Sequence, residues 1–445
     1  MSANNGINPV KQSQSLADWL CYLESIHPAN IEMGLGRVGA VGEKLNLTEF
    51  NAQVITVAGT NGKGSTCALL EQILLDAGYN VGVTSSPHIQ DYRERVRING
   101  KMLSEQAHVD SFAFIEAGRG DTTLTYFEFT TLSALKLFQD ADKAKELDVV
   151  ILEIGLGGRF DAANIVSADV AVITTIDIDH ADWLGTDKAV IAREKSGIFR
   201  QNKMAVCGVL NPPATIAEYA HEIGANFRAV NQDYHYTVDE AVQTWTWSSD
   251  AGGAFTEQAL TDIQLPQLPL QNAATAIAAI KSLALPVQDS AIYSGIANAR
   301  LPGRMQCLGM APQQYLDVAH NPESAIYLAS QLQTLKAKTA QDGKIIAVLG
   351  MLKDKDIASS LMALAGVIDC WHLAPLQTER AAPLMRMTDA LQQVLQDETN
   401  DQVKTHDTIA NAWQTAVKTA DCNDIIIGFG SFFTVAEITQ QISDS

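Results

Sequence analysis

The stretch "VITVAGTNGKGSTCALLEQIL", residues 54 to 74, decides the fold. A run of β-branched residues leads into a glycine-rich turn, and a helical pattern follows, expected from about Ser65. Gly59, Gly62 and Gly64 allow a tight turn whose backbone N–H groups approach a ligand closely. The positive N-terminal end of the helix points at the same place. The stretch therefore predicts a phosphate-binding turn between a parallel strand and a helix.

A lysine and two hydroxyl residues complete this turn. Lys63 is placed to meet terminal phosphates, and Ser65 or Thr66 is placed to meet a bound Mg²⁺. The strict phosphate-loop pattern is not met, because it needs glycine where Val57 stands and a hydroxyl residue where Gly64 stands. A plain glycine-rich turn between a strand and a helix is the alternative interpretation.

Apolar, β-branched runs alternate with helical patterns along most of the chain, which predicts an α/β fold with parallel sheets covered by helices. The predicted buried strands are QVITVA (53–58), NVGVTSS (80–86), LDVVILEIG (147–155), ADVAVITTI (168–176), KIIAVLG (344–350), VIDCWHLA (367–374) and NDIIIGFGS (423–431). Turn residues around WTWSSDAGGAF (245–255) predict a small antiparallel excursion. At 445 residues the chain exceeds one hydrophobic core, so two domains are expected, 1–298 and 299–445.

The bulk composition excludes several functional classes. A formal charge of −20 argues against a nucleic-acid partner, because it repels a polyanion at long range. The six cysteines are scattered without a CxxC pair, so they predict reduced thiols rather than disulfides or a zinc cluster. The polar start lacks a secretory pattern, and no stretch has the roughly 18 uninterrupted apolar residues of a membrane span. We expect a cytoplasmic protein with no membrane association.

Two polar side chains follow predicted strands on the ligand side of the sheet. Glu153 ends the run "LDVVILE", where a carboxylate can reach a phosphate-bound metal, and a solvated carboxylate at a strand end is the alternative interpretation. His180 follows the strand of "TTIDIDHADWLG". From residue type alone, a histidine there is more often a general base or a structural donor than a Mg²⁺ ligand, since Mg²⁺ prefers oxygen.

Several basic residues allow more than one interpretation. Alternating arginines and a lysine in "RERVRINGK" would face one side of an extended segment, either as an anion-binding strip or as a charged, solvated edge strand; these are Arg93, Arg95, Arg97 and Lys101. Lys195 in "AREKSGIF" has the composition of a surface lysine on a short helix. Arg304 in "LPGR" could meet phosphate. Asp317 and His320 in "LDVAHNPES" are expected at a strand end, just before a helix with Pro at its first turn.

The motifs taken together resemble the folylpolyglutamate synthase family, a relative of the Mur ligases. The matching segments are GTNGKGST, TSSPHI, ERVRING, TYFEFTTLSA, LEIGLGGRFDAAN, DHADWLG, REKSGIF, LPGR and DVAHNP. They occur in the family's order across nearly the whole chain and look most similar to its bacterial bifunctional branch. The family's own loop is GTNGK followed by a small residue and a hydroxyl residue, which accounts for the departure from the usual phosphate loop.

The resemblance implies an N-terminal phosphate-loop ATPase domain of the Mur-ligase type and a C-terminal Rossmann-like α/β domain, with the active site between them. Carried over by motif, the ATP-binding residues are Gly59, Thr60, Asn61, Gly62, Lys63, Gly64, Ser65, Asn272, Arg304, Asp317 and His320. Ser86, Glu153 and His180 would ligate Mg²⁺, so the resemblance overrides the expectation for His180 from residue type. Lys63, Lys195 and His180 are the predicted catalytic residues, and Lys195 falls on a lysine that is carbamylated in the family.

The resemblance also implies the substrates. The pterin site would comprise Gly34, Leu35, Gly36, Arg37, Thr125, Tyr126, Phe127, Glu128, Phe160, Asp161 and Ala162. ATP, Mg²⁺ at two sites and K⁺ are the expected cofactors, and a monomer is the expected state. The expected reaction adds L-glutamate to dihydropteroate and to reduced folates through an acyl phosphate. A Mur-type cell-wall ligase is one alternative, although only about fifty residues precede the first strand. A nucleotide-switch protein that forms no amide is another.

Overall fold

The computed structural model describes residues 15–28, 32–250, 258–338, 343–395 and 402–443. These residues form two compact units. The N-terminal unit comprises the described part of Met1–Ser86 together with Arg93–Ile176 and Asp187–Ala299. The C-terminal unit comprises the described part of Arg300–Ser445 together with the short segments Pro87–Tyr92 and Asp177–Thr186. The division of the chain into domains 1–298 and 299–445 stays a prediction.

Helices and strands alternate along both units. The strands are β1 (Gln53–Ala58), β2 (Val81–Thr84), β3 (Val96–Ile98), β4 (Lys101–Met102), β5 (Val149–Glu153), β6 (Val170–Ile173), β7 (Met204–Cys207), β8 (Asn226–Ala229), β9 (Tyr234–Asp239), β10 (Thr244–Ser249), β11 (Gln258–Gln264), β12 (Gln306–Met310), β13 (Gln313–Leu316), β14 (Ile345–Leu349), β15 (Cys370–Leu373), β16 (Val403–Thr405) and β17 (Ile425–Phe429).

The helices are α1 (Leu16–Ser25), α2 (Gly36–Lys44), α3 (Lys63–Asp76), α4 (Glu105–Arg119), α5 (Tyr126–Lys143), α6 (Ala181–Leu184), α7 (Lys188–Ser196), α8 (Ala214–Ile223), α9 (Leu270–Lys281), α10 (Asp289–Asn298), α11 (Pro322–Lys338), α12 (Ile357–Leu364), α13 (Leu384–Leu395), α14 (Ile409–Thr419) and α15 (Phe432–Ser443). Short 3₁₀ helices cover Tyr92–Arg95 and Ala162–Ile165. Within the described ranges, no helix is long and apolar enough to cross a membrane.

The N-terminal unit is organised around a mixed sheet whose described strands run in the order β4-β3-β2-β5-β1-β6-β7-β8. Six neighbouring strands of this sheet are parallel: β2, β5, β1, β6, β7 and β8. β3 and β4 extend the edge next to β2 in antiparallel pairing. β1 pairs with β5 on one side and β6 on the other, so the turn after β1 lies at the centre of the sheet. The antiparallel sheet β11-β10-β9 confirms the predicted excursion.

The C-terminal unit contains a second sheet in the order β12-β13-β17-β14-β15-β16, parallel except for β12. Alternate residues of β14 enter two different apolar clusters. Ile345 and Leu349 pack with residues of α11, α12 and α13, whereas Ile346 and Val348 pack with residues of α14 and α15. This alternation is expected of a parallel strand that is buried on both faces, and the predicted α/β fold is confirmed.

The prediction that Arg93, Arg95, Arg97 and Lys101 lie together on one extended segment is wrong. Arg93 and Arg95 lie in a 3₁₀ helix rather than on an extended segment, so the strand begins only at Val96. Arg97 does lie on β3, but its guanidinium binds the buried Glu71 carboxylate of α3 at 2.7 Å. Burial opposes the charge of Arg97, and the Glu71 carboxylate outweighs it and raises the pKa of Arg97. Arg97 is therefore a fixed structural cation of the N-terminal unit.

Candidate active site

The phosphate turn, residues 59–66, joins β1 to α3. The helix begins at Lys63, two residues earlier than expected, with Gly62 as its N-cap. The Thr60 N–H donates to the carbonyl of Thr175 at 2.9 Å, and the Asn61 N–H donates to its hydroxyl at 3.0 Å. These bonds fix the turn against the segment that follows β6. The turn at the positive N-terminal end of α3 is therefore held in place by the segment that follows β6.

Gly59 and Gly62 cannot carry side chains in this conformation. Both have positive φ, +154° and +81°, and a Cβ on Gly59 would lie 1.9 Å from the hydroxyl oxygen of Thr174. A Cβ on Gly62 would lie 2.7 Å from the side-chain amide of Asn272. The buried Asn272 on α9 thus packs directly on the phosphate turn. Two parts of the predicted ATP site, far apart in sequence, are brought together here.

Two lysine ammonium groups converge on one carbonyl oxygen of the turn. Lys63 Nζ donates to the Gly59 carbonyl at 2.9 Å and to the Thr60 carbonyl at 3.2 Å. Lys195 Nζ donates to the same Gly59 carbonyl at 3.1 Å. Lys195 is only 4% exposed, so the expectation of a surface lysine is wrong. The side chain points inward from the last turn of α7, an orientation that its composition alone does not reveal.

Oxygen ligands suited to Mg²⁺ lie next to this turn. Glu153, the last residue of β5, pairs with Val57 of β1 and is largely buried. Its carboxylate accepts the Ser86 N–H at 3.1 Å. The buried hydroxyl oxygen of Thr66 has no hydrogen-bond partner within the described residues. A carboxylate beside hydroxyl side chains matches the ligand preference of Mg²⁺, so the residues of the N-terminal unit fit the predicted ion.

Within the described ranges, no three His, Cys, Asp or Glu side chains come together in an arrangement that could hold a metal ion. The predicted set Ser86, Glu153 and His180 draws residues from both units. Its role in metal binding therefore stays a prediction.

The predicted pterin residues lie at three helix starts in the N-terminal unit. Gly34 and Leu35 precede α2, whereas Gly36 and Arg37 form its first turn. The Arg37 guanidinium binds the buried Glu128 carboxylate at 3.0 Å, and Glu32 binds the same guanidinium. Glu128 also closes a capping box with Thr125 at the start of α5. Arg37 and Glu128 thus join two of the three predicted segments through a partly buried ion pair.

One aromatic ring and one buried acid connect the third pterin segment to the second. The ring of Phe127 packs on the backbone of Gly155, and the guanidinium of Arg95 lies 5.8 Å from the ring centre of Tyr126. Asp161 accepts the N–H groups of Gly155 and Leu156 at 3.0 and 2.9 Å. Burial raises the pKa of Asp161 to about 6, although these backbone donors act in the opposite direction.

Phe160 and Ala162 flank this acid. Phe160 is partly exposed and lies against Arg159, whereas Ala162 is buried at the start of the short 3₁₀ helix.

The C-terminal unit assembles a second group of predicted ATP residues after β13. Asp317 is buried and accepts the N–H groups of Met305 and Ala319 at 2.9 and 2.8 Å. Burial raises the pKa of Asp317, and the nearby Arg304 opposes the shift. The ring of Phe432 lies 5.4 Å from the guanidinium carbon of Arg304 and 6.3 Å from the ring centre of His320. One aromatic side chain therefore contacts two predicted ATP residues.

Asp179 links His180 to the same region of the C-terminal unit. Lys355 Nζ binds the Asp179 carboxylate at 2.8 Å, and His320 Nε2 lies 3.7 Å from it. The backbone N–H of His180 donates to the same carboxylate at 2.8 Å. Burial opposes the charge of Asp179, but His320 and Lys355 outweigh it and keep the pKa of Asp179 far below its usual range.

Several side chains that contact predicted site residues were not identified from the sequence, among them Glu32, Thr174, Thr175 and Phe432. Lys355, which binds Asp179 next to His180, was not identified either. Thr174, Thr175 and Phe432 follow the carboxyl ends of parallel strands, a position that could have identified them. Lys355 stands in "LKDKD", which has the composition of a solvated charged turn, so no local signal marks it.

These features define a class of protein. A phosphate turn on a central parallel strand, followed by a second α/β unit, is the arrangement of the Mur ligases. The family model for the Mur ligase middle domain matches residues 57–283, and the model for the Mur ligase glutamate ligase domain matches residues 303–432.

Individual relatives identify the branch. The chain is 48% identical over 427 residues to the dihydrofolate synthase/folylpolyglutamate synthase of Escherichia coli strain K12, covering 96% of this chain and 95% of the relative. The chain belongs to the dihydrofolate synthase/folylpolyglutamate synthase family, and the resemblance predicted from the motifs is confirmed.

Solved structures agree with this assignment. The structure of E. coli FolC in complex with DHPP and ADP has a TM-score of 0.90 and 46% identity, covering 98% of this chain and 99% of that one. A crystal structure of a bifunctional folylpolyglutamate synthase/dihydrofolate synthase with Mn, AMPPNP and L-glutamate bound has a TM-score of 0.88 and 46% identity, covering 97% and 99%.

Proposed function

We propose that this chain is an ATP-dependent carboxylate–amine ligase that adds L-glutamate to dihydropteroate and to reduced folates. One observation carries the proposal: a complete phosphate turn lies in a chain that matches dihydrofolate synthase/folylpolyglutamate synthase relatives over nearly its whole length. Because the relatives that match nearly the whole chain are named as folate ligases, the folate ligase is favoured over the cell-wall ligase that was the alternative.

The reaction requires activation because a carboxylate is a poor electrophile. A carboxylate oxygen of the pterin substrate attacks the γ-phosphorus of ATP, ADP leaves, and an acyl phosphate forms. The amine of L-glutamate then attacks the acyl carbon, phosphate leaves, and the nitrogen loses a proton as the amide forms. Holding the reactants in one orientation supplies much of the rate acceleration in reactions of this kind.

The phosphate turn would stabilise the first step. Lys63 is placed to offset the negative charge that spreads over the transferring phosphoryl group, while the N-terminus of α3 supplies backbone donors. Ser86, Glu153 and His180 would hold Mg²⁺, which when bound neutralises further phosphate charge. Asn272 packs on Gly62 and would fix the turn from the α9 side.

Lys195 is proposed to act as a carbamate. Lys63 and the buried Lys195 direct two ammonium groups at one carbonyl oxygen, a concentration of positive charge that an anionic carbamate on Lys195 would offset. In forming the carbamate, the unprotonated Lys195 amine attacks CO₂, the N–C bond forms, and a proton leaves. The resulting anion would complement Lys63 and Mg²⁺. We expect Lys195→Ala to lose about 100-fold or more in kcat and to regain part of it when a short carboxylate such as acetate is added. An alanine variant that works unaided would contradict the carbamate.

Arg37, Tyr126, Phe127 and Glu128 are proposed to line the pterin site together with the segment 160–162. The remaining expectations are a monomer, a cytoplasmic location and activation by K⁺. Light scattering after size exclusion tests the first and cell fractionation the second. A comparison of turnover in KCl with turnover in choline chloride tests the third.

Phosphate release from MgATP and L-glutamate tests the function directly. The assay compares no acceptor, dihydropteroate and tetrahydrofolate, with the products identified by mass. Glutamate-dependent turnover with both acceptors is the expected result, and turnover with one alone would restrict the proposal to a single activity. Phosphate release that does not depend on glutamate would indicate a nucleotide switch, and turnover on a muropeptide alone would indicate a cell-wall ligase.

A further inference from the structure

We propose that Lys355 is a positioning residue for His180 and His320, and that it acts through the carboxylate of Asp179. No motif of the resemblance contains Lys355. The inference deepens the proposed function, since it depends on His180 and His320 being part of the metal and nucleotide site. All four residues lie in the C-terminal unit, so their contacts are internal to one compact body.

Asp179 is the centre of this group. Its Oδ1 atom accepts hydrogen bonds from the Lys355 ammonium at 2.8 Å and from the backbone N–H of His180 at 2.8 Å. Its Oδ2 atom lies 3.7 Å from His320 Nε2 and 3.4 Å from the side-chain nitrogen of Asn321. One carboxylate therefore joins the segment of His180, the turn after β13 and the turn after β14. Displacing it would move all three together.

The backbone around Lys355 aims its side chain inward. The Lys355 N–H donates to the Leu352 carbonyl at 3.3 Å, and the Lys355 carbonyl accepts the Ile357 N–H at 3.0 Å. Asp356 caps the start of α12 through a bond from the Ser359 N–H. Lys355 is consequently only 8% exposed, despite lying in a highly charged sequence.

Stability alone does not explain a buried pair of this kind. Burying a lysine and an aspartate carries a desolvation penalty that often cancels their attraction, so an apolar pair would serve a purely structural purpose equally well. Orientation is a better explanation, because His180 has a left-handed backbone, with φ 53° and ψ 44°, that disfavours residues other than glycine. The Asp179 carboxylate accepts the N–H of this strained residue, and Lys355 holds that carboxylate.

The test compares Lys355→Met, Asp179→Asn and the double variant with the wild type. Lys336→Met is the matched control, because Lys336 and Asp369 also form an ion pair at 2.8 Å in the same unit, with both side chains about one third exposed. Each variant is assayed for kcat, for half-saturating Mg²⁺ and for urea unfolding. Binding of Mn²⁺ in the presence of AMPPNP is measured in parallel by electron paramagnetic resonance.

We expect Lys355→Met to raise half-saturating Mg²⁺ and the Mn²⁺ dissociation constant about tenfold, and the double variant to be no worse than Lys355→Met. Lys355→Arg should recover part of the loss. Ion affinities in Lys355→Met that match those of Lys336→Met would overturn the proposal, even if Lys355→Met were less stable. The Mn²⁺ measurement needs no ligation. Wild-type protein that binds Mn²⁺ but forms no amide would therefore refute the proposed function and still test Lys355.

Discussion

The turn after β1 and the turn after β13 are both predicted to bind ATP, but they are constructed from different parts of the chain. The phosphate turn owes its shape to backbone: glycines with positive φ, N–H bonds to Thr175, and a carbonyl that receives two lysines. The turn after β13 owes its shape to side chains: the buried Asp317 accepts two backbone N–H groups, and the ring of Phe432 on α15 lies against His320 of the turn and against Arg304.

This difference determines how far each turn can be recognised. The glycines and the lysine of a phosphate turn can be recognised from residue type alone. Glycine adopts the turn's backbone conformation without strain, and a cation offsets the charge of the phosphates. A turn built from side chains depends on partners that are distant in sequence. Substitutions in the turn after β1 should therefore act by changing its backbone shape or its charge. Substitutions around the turn after β13 should act by removing side-chain partners.

The largest effect is expected at Lys63. Lys63→Met removes the cation that faces the transferring phosphoryl group, so kcat should fall about 10³-fold or more, with little change in the free energy of unfolding. Steady-state phosphate release and urea unfolding measure the two quantities. Lys203→Met, which removes an exposed lysine from an ion pair with Asp169, should retain full activity. Normal turnover by a folded Lys63→Met variant would refute the phosphate turn.

A glycine substitution separates shape from charge. Gly62→Ala adds a Cβ at a positive φ and within 2.7 Å of the Asn272 amide, so it should cost about 1–3 kcal/mol of stability and about 100-fold in kcat.

Gly78→Ala is the matched control, because Gly78 has φ +86° and no atom within 4 Å of the added Cβ. It should cost about 1 kcal/mol and leave kcat unchanged. Equal losses of activity in the two variants would show that the loss at Gly62 does not depend on the contact with Asn272.

A milder effect is expected where side chains form the turn. Phe432→Leu removes the aromatic face beside Arg304 and should raise the KM for ATP about fivefold, the equivalent of roughly 1 kcal/mol of cation–π interaction, with kcat little changed. Phe433→Leu alters the neighbouring, partly exposed ring and serves as the control. If both variants behave alike, Phe432 does not orient Arg304.

The smallest effect on catalysis is expected from a pH-sensitive pair that lies away from the nucleotide residues and acts on stability. His372 on β15 is buried, and its Nδ1 atom lies 3.0 Å from Nε2 of His406. Burial, with His406, lowers the pKa of His372 to about 4. The folded state therefore favours the neutral ring, so this contribution is fully present above pH 6.5 and is lost as the pH falls toward 4.

Lowering the pH from 7 to 5 should cost about 2 kcal/mol through His372, and His372→Gln should remove that part of the loss. Urea unfolding of both proteins at the two pH values measures it. An unchanged pH dependence in the variant would place the effect at other groups.

The sequence predicted the fold class and seven of the parallel strands, because these strands lie in apolar, largely β-branched runs that can be recognised locally. QVITVA coincides with β1, and the other predicted runs contain β2, β5, β6, β14, β15 and β17. The phosphate turn was also predicted from the sequence, although the helix begins at Lys63, two residues earlier than expected. These features are local, and local rules describe them.

The features that the sequence could not predict depend on tertiary packing. Lys195 looks like a surface residue until α7 is placed with its last turn against the Gly59 carbonyl. Arg93 and Arg95 alternate like strand residues, yet the backbone there is a 3₁₀ helix. Lys355 and Phe432 gain significance only through Asp179 and Arg304, which are remote in sequence. Alternation and composition report local preference, and they do not report which partner a side chain meets.

The C-terminal unit is assembled from segments that are far apart in the sequence, and this has a consequence for biosynthesis. Asp179 belongs to that unit, yet it is translated 176 residues before its partner Lys355. At about 5–20 residues per second, the carboxylate leaves the ribosome roughly 10–35 seconds before the ammonium that binds it. During that interval the segment Asp177–Thr186 has no finished unit to join. The nascent chain must therefore carry this segment unassembled while the C-terminal sheet is being synthesised.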